Sequence, residues 1–273
     1  MPVAVCADIE TIRNIARIEA RCRAGHQALL TSETSDHELP ALVEVGGALL
    51  EAAGRPRQGR IGRVYGFGVF EAGTKAALDA ILSAAVAEQV TEIRFRVAQI
   101  EQREEITAWL LARGMRRSTM VVHWCALTTP LRSVEGAYAI RPMAPSDAAE
   151  FGRLIALHYH LKEPGCAELY ARLEEISGMT CVLVFDGGTV VGTGATYRDG
   201  AGCIVEYGTT LAAYRKQGIQ CATIGYRLNA ATRAGCEWAC ASTMGKDRSS
   251  HNLVRQGFAH AYDEHVYNLA AEM

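Results

Sequence analysis

The alternation of apolar and polar positions divides the chain into two stretches that read in nearly the same order. In the first, residues 7 to 31 place Ile9, Ile12, Ile15, Ala16 and Ile18 along one stripe, the spacing of a helix with one buried face. A polar break at Thr31 to His37 follows. The segments Pro40 to Ala53 and Arg60 to Val69 are rich in valine and small residues and are predicted as strands, with the Gly-Arg-Pro-Arg-Gln-Gly run at 54 to 59 as the loop between them. Lys75 to Glu88 predicts a helix, Glu92 to Val97 an alternating strand, Glu101 to Arg113 a second helix with Gly114 as its C-cap glycine, and Met120 to Leu127 a hydrophobic strand.

Thr128 to Ser133 reads as a linker, and the second stretch begins after it. Tyr138 to Pro142 predicts a strand. A helix is expected from Ser146, a favoured N-cap with Glu150 four residues on, through Leu161, and a shorter one from Cys166 to Ile176. Met179 to Phe185, Thr189 to Arg198 and Gly202 to Thr210 form an antiparallel meander, with Asp186-Gly187 and Asp199-Gly200 as hairpin turns. A short polar loop leads into a long helical pattern, then an apolar strand and a last helix ending in Gln256-Gly257-Phe258. Trp109 to Met115 lines up with Asn252 to Phe258, and the units ahead of both align at the same offset. The chain reads as a tandem repeat of one α/β (α+β) fold.

Composition narrows the class. A length of 273 residues suits two domains, each long enough to bury a core. A net charge of -2 gives no basic face for nucleic acid. The N-terminus lacks the pattern of a signal peptide, and no apolar run approaches the ~18 residues of a membrane span, so a cytoplasmic protein without membrane contact is expected. Nine cysteines, an odd count scattered through predicted elements, argue against a disulfide framework. Cys236 and Cys240 share one apolar strand without a second ligand pair and are read as buried thiols; no metal is expected.

The chemistry concentrates in the loop Tyr214-Arg215-Lys216-Gln217-Gly218-Ile219-Gln220, where two cationic side chains meet a helix start. Unpaired N–H groups and the helix dipole favour anions there, so the loop is a phosphate site in outline. Strand, Thr210-Leu211, Tyr-Arg-x-x-Gly-Ile-x, helix, strand and a helix ending in Gly-Phe together resemble the acyl-CoA-binding half of the GNAT superfamily of N-acetyltransferases. The resemblance implies two GNAT-like domains, each a mixed, mostly antiparallel sheet flanked by helices, at residues 1–130 and 137–273. It implies acetyl-CoA as cosubstrate, held by Thr209, Thr210, Leu211, Arg215, Lys216, Gln217, Gly218, Ile219, Gln220, Ser249 and Asn252. Gln220 departs from the glycine or alanine usual at the loop's end, and Lys246 replaces a common asparagine. In the first copy the loop position reads Phe70-Glu71-Ala72-Gly73-Thr74-Lys75, with an acid where the second has Arg215. That half is expected to bind no CoA and either to wall the acceptor pocket or to provide a homodimer surface.

Acetyl transfer to an amine needs a proton acceptor, an oxyanion donor and a fate for the leaving thiolate. The resemblance places the donor at the N–H of Thr210 or Leu211. Glu206 shares a strand face with Thr210 and is a candidate base through water, or simply a paired strand carboxylate. The family's usual tyrosine acid falls at Leu253, which donates no proton; Tyr207 and Tyr262 are the candidate substitutes. His158-Tyr159-His160 falls where relatives line the acceptor pocket, and a solvated helix end explains it equally well. The expected activity is acetylation of a small-molecule amine. The competing readings are a non-catalytic acyl-CoA-binding or interaction module and a structural tandem domain.

Overall fold

The computed structural model describes residues 8–31, 41–53, 60–132, 134, 137–161, 165–245 and 248–270. The predicted loop at 54–59 and Lys246 lie outside them. The described chain forms two compact units, and their membership is not linear. One takes residues 8–123 with 242–245 and 260–270, the other 124–241 and 248–259.

In the first unit, helix α1 (Ile9–Thr31) precedes strands β1 (Ala41–Val45), β2 (Ala48–Ala53) and β3 (Arg60–Tyr65). Helix α2 (Lys75–Ala87), strand β4 (Val90–Ala98), helix α3 (Arg103–Ala112) and strand β5 (Arg116–Leu127) follow. The predicted strand from Pro40 to Ala53 is two strands joined at Gly46-Gly47, which take φ of +58° and +65°. Two such residues suit the tight turns whose twist matches a hairpin, and a Gly-Gly pair was the available signal for this one. Likewise β3 ends at Tyr65, because Gly66 and Gly68 at φ of +75° and +76° turn the chain before Val69. The strand order in this unit is β1-β2-β3-β4-β11-β5, where β11 is the last strand of the chain (Ala259–Ala270). β11 runs antiparallel to β4 from Glu264 opposite Ala98 to Ala270 opposite Glu92.

The first unit's core gathers Leu50, Phe67, Leu78, Ile81, Phe95 and Leu110, all fully buried. Each such side chain contributes about 1.5–3 kcal/mol on leaving water. A charged cluster is buried in the same unit. Arg96 on β4 donates to Glu19 at 2.9 Å and Glu264 at 2.5 Å, and His123 on β5 lies 2.9 Å from Glu264 with its ring stacked on Tyr262.

The second unit contains β6 (Ala139–Pro142), α4 (Ala148–His158), α5 (Cys166–Ala171), β7 (Met179–Asp186), β8 (Thr189–Asp199) and β9 (Gly202–Thr210). Helix α6 (Ile219–Arg233), strand β10 (Trp238–Met244) and helix α7 (Arg248–Arg255) complete it, with strand order β10-β9-β8-β7-β6. β6 through β9 are antiparallel and β10 is parallel to β9. The meander matches expectation, but its turns sit one residue later than predicted, at Gly187-Gly188 and Gly200-Ala201. Asp186 and Asp199 are the last paired residues, opposite Thr189 and Gly202. Helix α4 begins at Ala148, because Asp147 rather than Ser146 satisfies the entry. Its carboxylate accepts from the Ala144 N–H at 2.8 Å and from Arg141 at 2.6 Å. Cys236 and Cys240 are buried, as read from the sequence.

The internal repeat survives at one level of detail. Helix α3 ends with Gly114 donating to Leu111 and Met115 to Leu110, and α7 ends with Gly257 donating to Val254 and Phe258 to Leu253, all at 3.0–3.1 Å. Both glycines take a left-handed φ, +79° and +84°. Both termini are the same αL helix stop with a buried leucine underneath.

Candidate functional site

Strand β9 sits between β8 and β10, but only part of it is paired on the β10 side. Gly202, Cys203 and Ile204 face Trp238, Ala239 and Cys240, and from Val205 to Thr210 that edge has no partner in β10. The open edge is where the strand is irregular. The register against β8 shifts between Thr193 opposite Thr209 and Ala195 opposite Glu206, so Tyr207 and Gly208 together face Gly194. This is a β-bulge, and Tyr207 carries a left-handed φ of +50° in it.

Several groups fix the bulge. Thr193 donates to the Tyr207 carbonyl at 3.0 Å and shares a hydroxyl contact of 2.8 Å with Thr209. Arg227 of α6 is buried and donates from one nitrogen to the carbonyls of Ala195 and Glu206, both at 2.8 Å. Burial lowers the Arg227 pKa to about 10, against the opposing influence of Cys203, Tyr159, Cys181 and Glu206 around it. Gly194 makes the space, since a Cβ there would lie 2.8 Å from Nε of Arg227. The sequence reading did not name Arg227; a cation among the buried positions of α6, beside Ile224 and Leu228, was the available signal.

Past the bulge, Leu211 donates its N–H to the Val191 carbonyl at 2.9 Å. Alternation along an antiparallel strand then turns the Thr210 N–H to the open edge. The Thr210 hydroxyl is buried and has no hydrogen-bond partner among the described residues. Next comes a single helical turn, Ala212–Tyr214, and then Arg215, Lys216 and Gly218, all exposed. Lys216 and Gly218 both take left-handed φ, +67° and +80°, and the chain turns sharply into α6. Gly218 is the N-cap, so no side chain caps this helix. The first backbone N–H bonded within the turn is that of Ala222, to Gly218, which leaves the N–H groups ahead of it without helical acceptors. Gln217 is tied away: its amide oxygen accepts from the Tyr138 hydroxyl, and its nitrogen donates to Ala213 at 3.3 Å.

Gln220, the departure noted in the loop, points its side chain at α7. It donates to the Ser249 hydroxyl at 2.9 Å and accepts from Asn252 at 2.7 Å. The structure thus brings together three residues expected from separate parts of the sequence. It also explains how glutamine is accommodated, since its side chain is spent on α7 instead of filling the loop.

On the other side of β9, Tyr207 meets Tyr170 of α5 and Tyr159 at the end of α4, with ring centroids 5.3 and 6.2 Å away. His158 stacks edge-on against Tyr159 at 4.9 Å. Burial, and then the charges of Arg215 and His160, hold the His158 imidazole below its usual pKa. Arg215 of the candidate loop is thus one of the charges facing His158, which the sequence did not reveal. Glu206 is half-buried at the head of the bulge. Leu253 is 3% exposed and packs in the core. Tyr262 is fully buried against His123 in the first unit, whereas Tyr207 is half-buried at the bulge.

No protein-family model and no curated protein matches this sequence. Solved structures do match in fold. A GCN5-related N-acetyltransferase from Sphaerobacter thermophilus shares 13% identity at a TM-score of 0.63, over 94% of this chain and 91% of that one. One from Kribbella flavida shares 16% at 0.60, over 93% and 94%. A tandem GNAT protein from the clavulanic acid biosynthesis pathway shares 12% at 0.61, over 94% and 95%. The chain has the fold of the GCN5-related N-acetyltransferases. Among the described residues, no helix is long and apolar enough to cross a membrane.

Proposed function

We propose that the second unit binds acetyl-CoA where β9 meets α6 and passes the acetyl group directly to the amine of a small molecule. One observation carries this reading: the unpaired edge of β9 runs into an uncapped helix N-terminus flanked by Arg215 and Lys216. An unpaired strand edge pairs with an extended amide-bearing chain, and an open helix N-terminus binds phosphate. The pantetheine arm and pyrophosphate of CoA supply those two features in that order. The buried Thr210 hydroxyl, without a partner among the described residues, is a further group such a ligand would satisfy.

In this reading the Thr210 N–H, directed to the open edge, stabilises the oxyanion as the amine attacks the thioester carbonyl. Leu211 is not available for that role, because its N–H is bonded to Val191. Glu206 accepts the amine proton through water, and Arg227 holds its backbone in place. Tyr207 faces the acceptor with Tyr159 and Tyr170 around it. With Leu253 at the usual acid position, the CoA thiolate leaves as the anion and takes its proton from water. The proposed acceptor-side groups are neutral or anionic, as capture of an amine requires.

Calorimetry with acetyl-CoA tests the site. Arg215→Ala is expected to weaken binding by about 1.5–3 kcal/mol, the value of a charge-assisted contact. Because Arg215 is exposed, the thermal midpoint without ligand should not move. Unchanged affinity in the variant would refute the assignment. A second reading, an acyl-CoA-binding module without catalysis, is favoured by the apolar Leu253. Free thiol released from acetyl-CoA on adding a mixture of small amines separates the two: release requires the enzyme, and tight binding without release favours the module.

A further inference from the structure

The two faces of β11 in the first unit carry opposite arrangements of charge. Successive residues of a strand point to opposite sides, so Glu264, which meets Arg96 at 2.5 Å, lies on one face and His265 and Tyr267 lie on the other. On that second face Arg103, at the start of α3, places Nη2 3.0 Å from Nδ1 and 3.2 Å from Nε2 of His265. Arg117 of β5 places its Nη2 2.7 Å from the same Nε2. Both guanidinium groups thus come within 3.2 Å of one ring nitrogen. Among the described residues neither of these arginines has a carboxylate partner, and His265 is the hydrogen-bond partner of both side chains.

The ring cannot satisfy both. Burial, then the charges of Arg103 and Arg117, hold the His265 imidazole below its usual pKa, with Asp263 acting in the opposite direction. A neutral imidazole offers one lone pair and one N–H. The charged groups facing it are Arg103 from α3, Arg117 from β5 and Asp263 from its own strand, and Asp263 is engaged by His260 at 2.8 Å. What remains is two like charges, which repel, over a ring with one acceptor. One turn along α3, the Thr107 hydroxyl lies 3.1 Å from that of Tyr267, and this pair uses one of its two hydrogens between them. Arg117 is exposed and His265 is 7% exposed, so the cluster opens to solvent with the imidazole beneath it.

We propose that Arg103, Arg117 and His265 form a site for a phosphate group, carried by inorganic phosphate or by a small phosphate monoester. An oxyanion between the two guanidinium groups replaces their repulsion with charge-assisted hydrogen bonds, and the planar fork of a guanidinium matches phosphate oxygens. The imidazole N–H adds a neutral donor. Two cations without carboxylate partners favour a dianion over a carboxylate, which neutralises one of them. The other face of β11 shows the alternative: there Arg96 is answered within the protein by Glu19 and Glu264 and needs no ligand. The site goes beyond the acyl transfer proposed for the second unit, whose cations are Arg215 and Lys216.

The test titrates the full-length Arg215→Ala variant, which lacks the cation proposed to hold CoA, with inorganic phosphate, glycerol phosphate and acetate at constant ionic strength. Calorimetry reads affinity, and the His265 imidazole resonance, assigned by its loss in His265→Gln, reads the place. At least one phosphate ligand is expected to bind at millimolar concentration or below, and acetate tenfold or more weakly. The His265 titration midpoint should move up, because a bound dianion offsets Arg103 and Arg117 and favours the charged ring. Whichever phosphate binds more tightly identifies the source. Adding Arg117→Gln should weaken binding tenfold or more. That side chain is exposed, so a circular dichroism spectrum matching the parent confirms folding. The result is read at Arg117 and His265, whatever Arg215→Ala does to acetyl-CoA. The proposal is overturned if neither phosphate binds at millimolar concentration, if acetate binds as tightly, if the His265 midpoint does not move, or if binding survives Arg117→Gln.

Discussion

Helices α2 and α6 occupy matching places in the two copies of the repeat, and their N-termini are finished in opposite ways. At α2 the Thr74 hydroxyl accepts from the Ala77 N–H at 3.0 Å, and Gln102 accepts from the Gly73 N–H at 3.0 Å. At α6 the N-cap is Gly218, no side chain caps the turn, and the nearby cations stand in solvent. The same contrast runs through the charges. Around α2 the loop carries Glu71, whereas the loop before α6 keeps Arg215 and Lys216 exposed. Local side chains in the first copy satisfy what the second copy leaves open. The same order of elements thus carries one helix start that is capped by side chains and one that is not.

The most severe way to break the contrast is Arg96→Met. Removing one member of a buried ionic cluster strands the others, here Glu19 and Glu264, and should cost about 3–5 kcal/mol in urea unfolding. Acid should act on the same cluster to a smaller degree. Burial alone would raise the Glu264 carboxyl, but Arg96 and His123 outweigh it and hold the pKa at about 2. A carboxylate whose folded pKa is depressed contributes fully above its unfolded value, about 4.3, and loses that contribution as pH falls toward 2. Unfolding followed between these limits should show the decline, and Glu264→Gln should flatten it. If the slope is the same in the variant, the cluster is not its source.

Closer to the two termini, Thr74→Ala should cost about 1 kcal/mol of stability and leave acetyl-CoA affinity untouched. Gly218→Ala has open space around its Cβ but must hold a φ of +80°, so it should cost roughly 1–2 kcal/mol and also weaken acetyl-CoA. Equal effects of both changes on ligand affinity would remove the distinction between a closed and an open terminus.

Much of this was readable in the sequence because the signals were local. The meander follows from period and turn residues, and the interest of the loop at Arg215 and of the leucine at position 253 from the resemblance to the GNAT family. The Gly46-Gly47 turn was missed because two short strands of similar composition read as one. Contacts between distant residues carry no local signature. That Gln220 would reach Ser249 and Asn252, that Arg227 would anchor the bulge, and that burial, with Arg215 and His160 nearby, would lower the pKa of His158 all depend on packing. The bulge itself arises from strand pairing, and nothing in Glu206-Tyr207-Gly208 announces an unpaired residue apart from its glycine.

The placement of β11 bears on how the protein is made. Arg96 and Glu264 meet at 2.5 Å across 168 residues of sequence, and the strand carrying Glu264 ends at Ala270. A domain near the start of a chain ordinarily folds as soon as it leaves the ribosome. Here the first unit emerges early without one interior strand of its sheet and without the carboxylate that pairs with Arg96. It stays incomplete until the strand from Ala259 to Ala270 has been made. Contacts so far apart in sequence slow folding, so the strand from Ala259 to Ala270 decides when β4 reaches its final state.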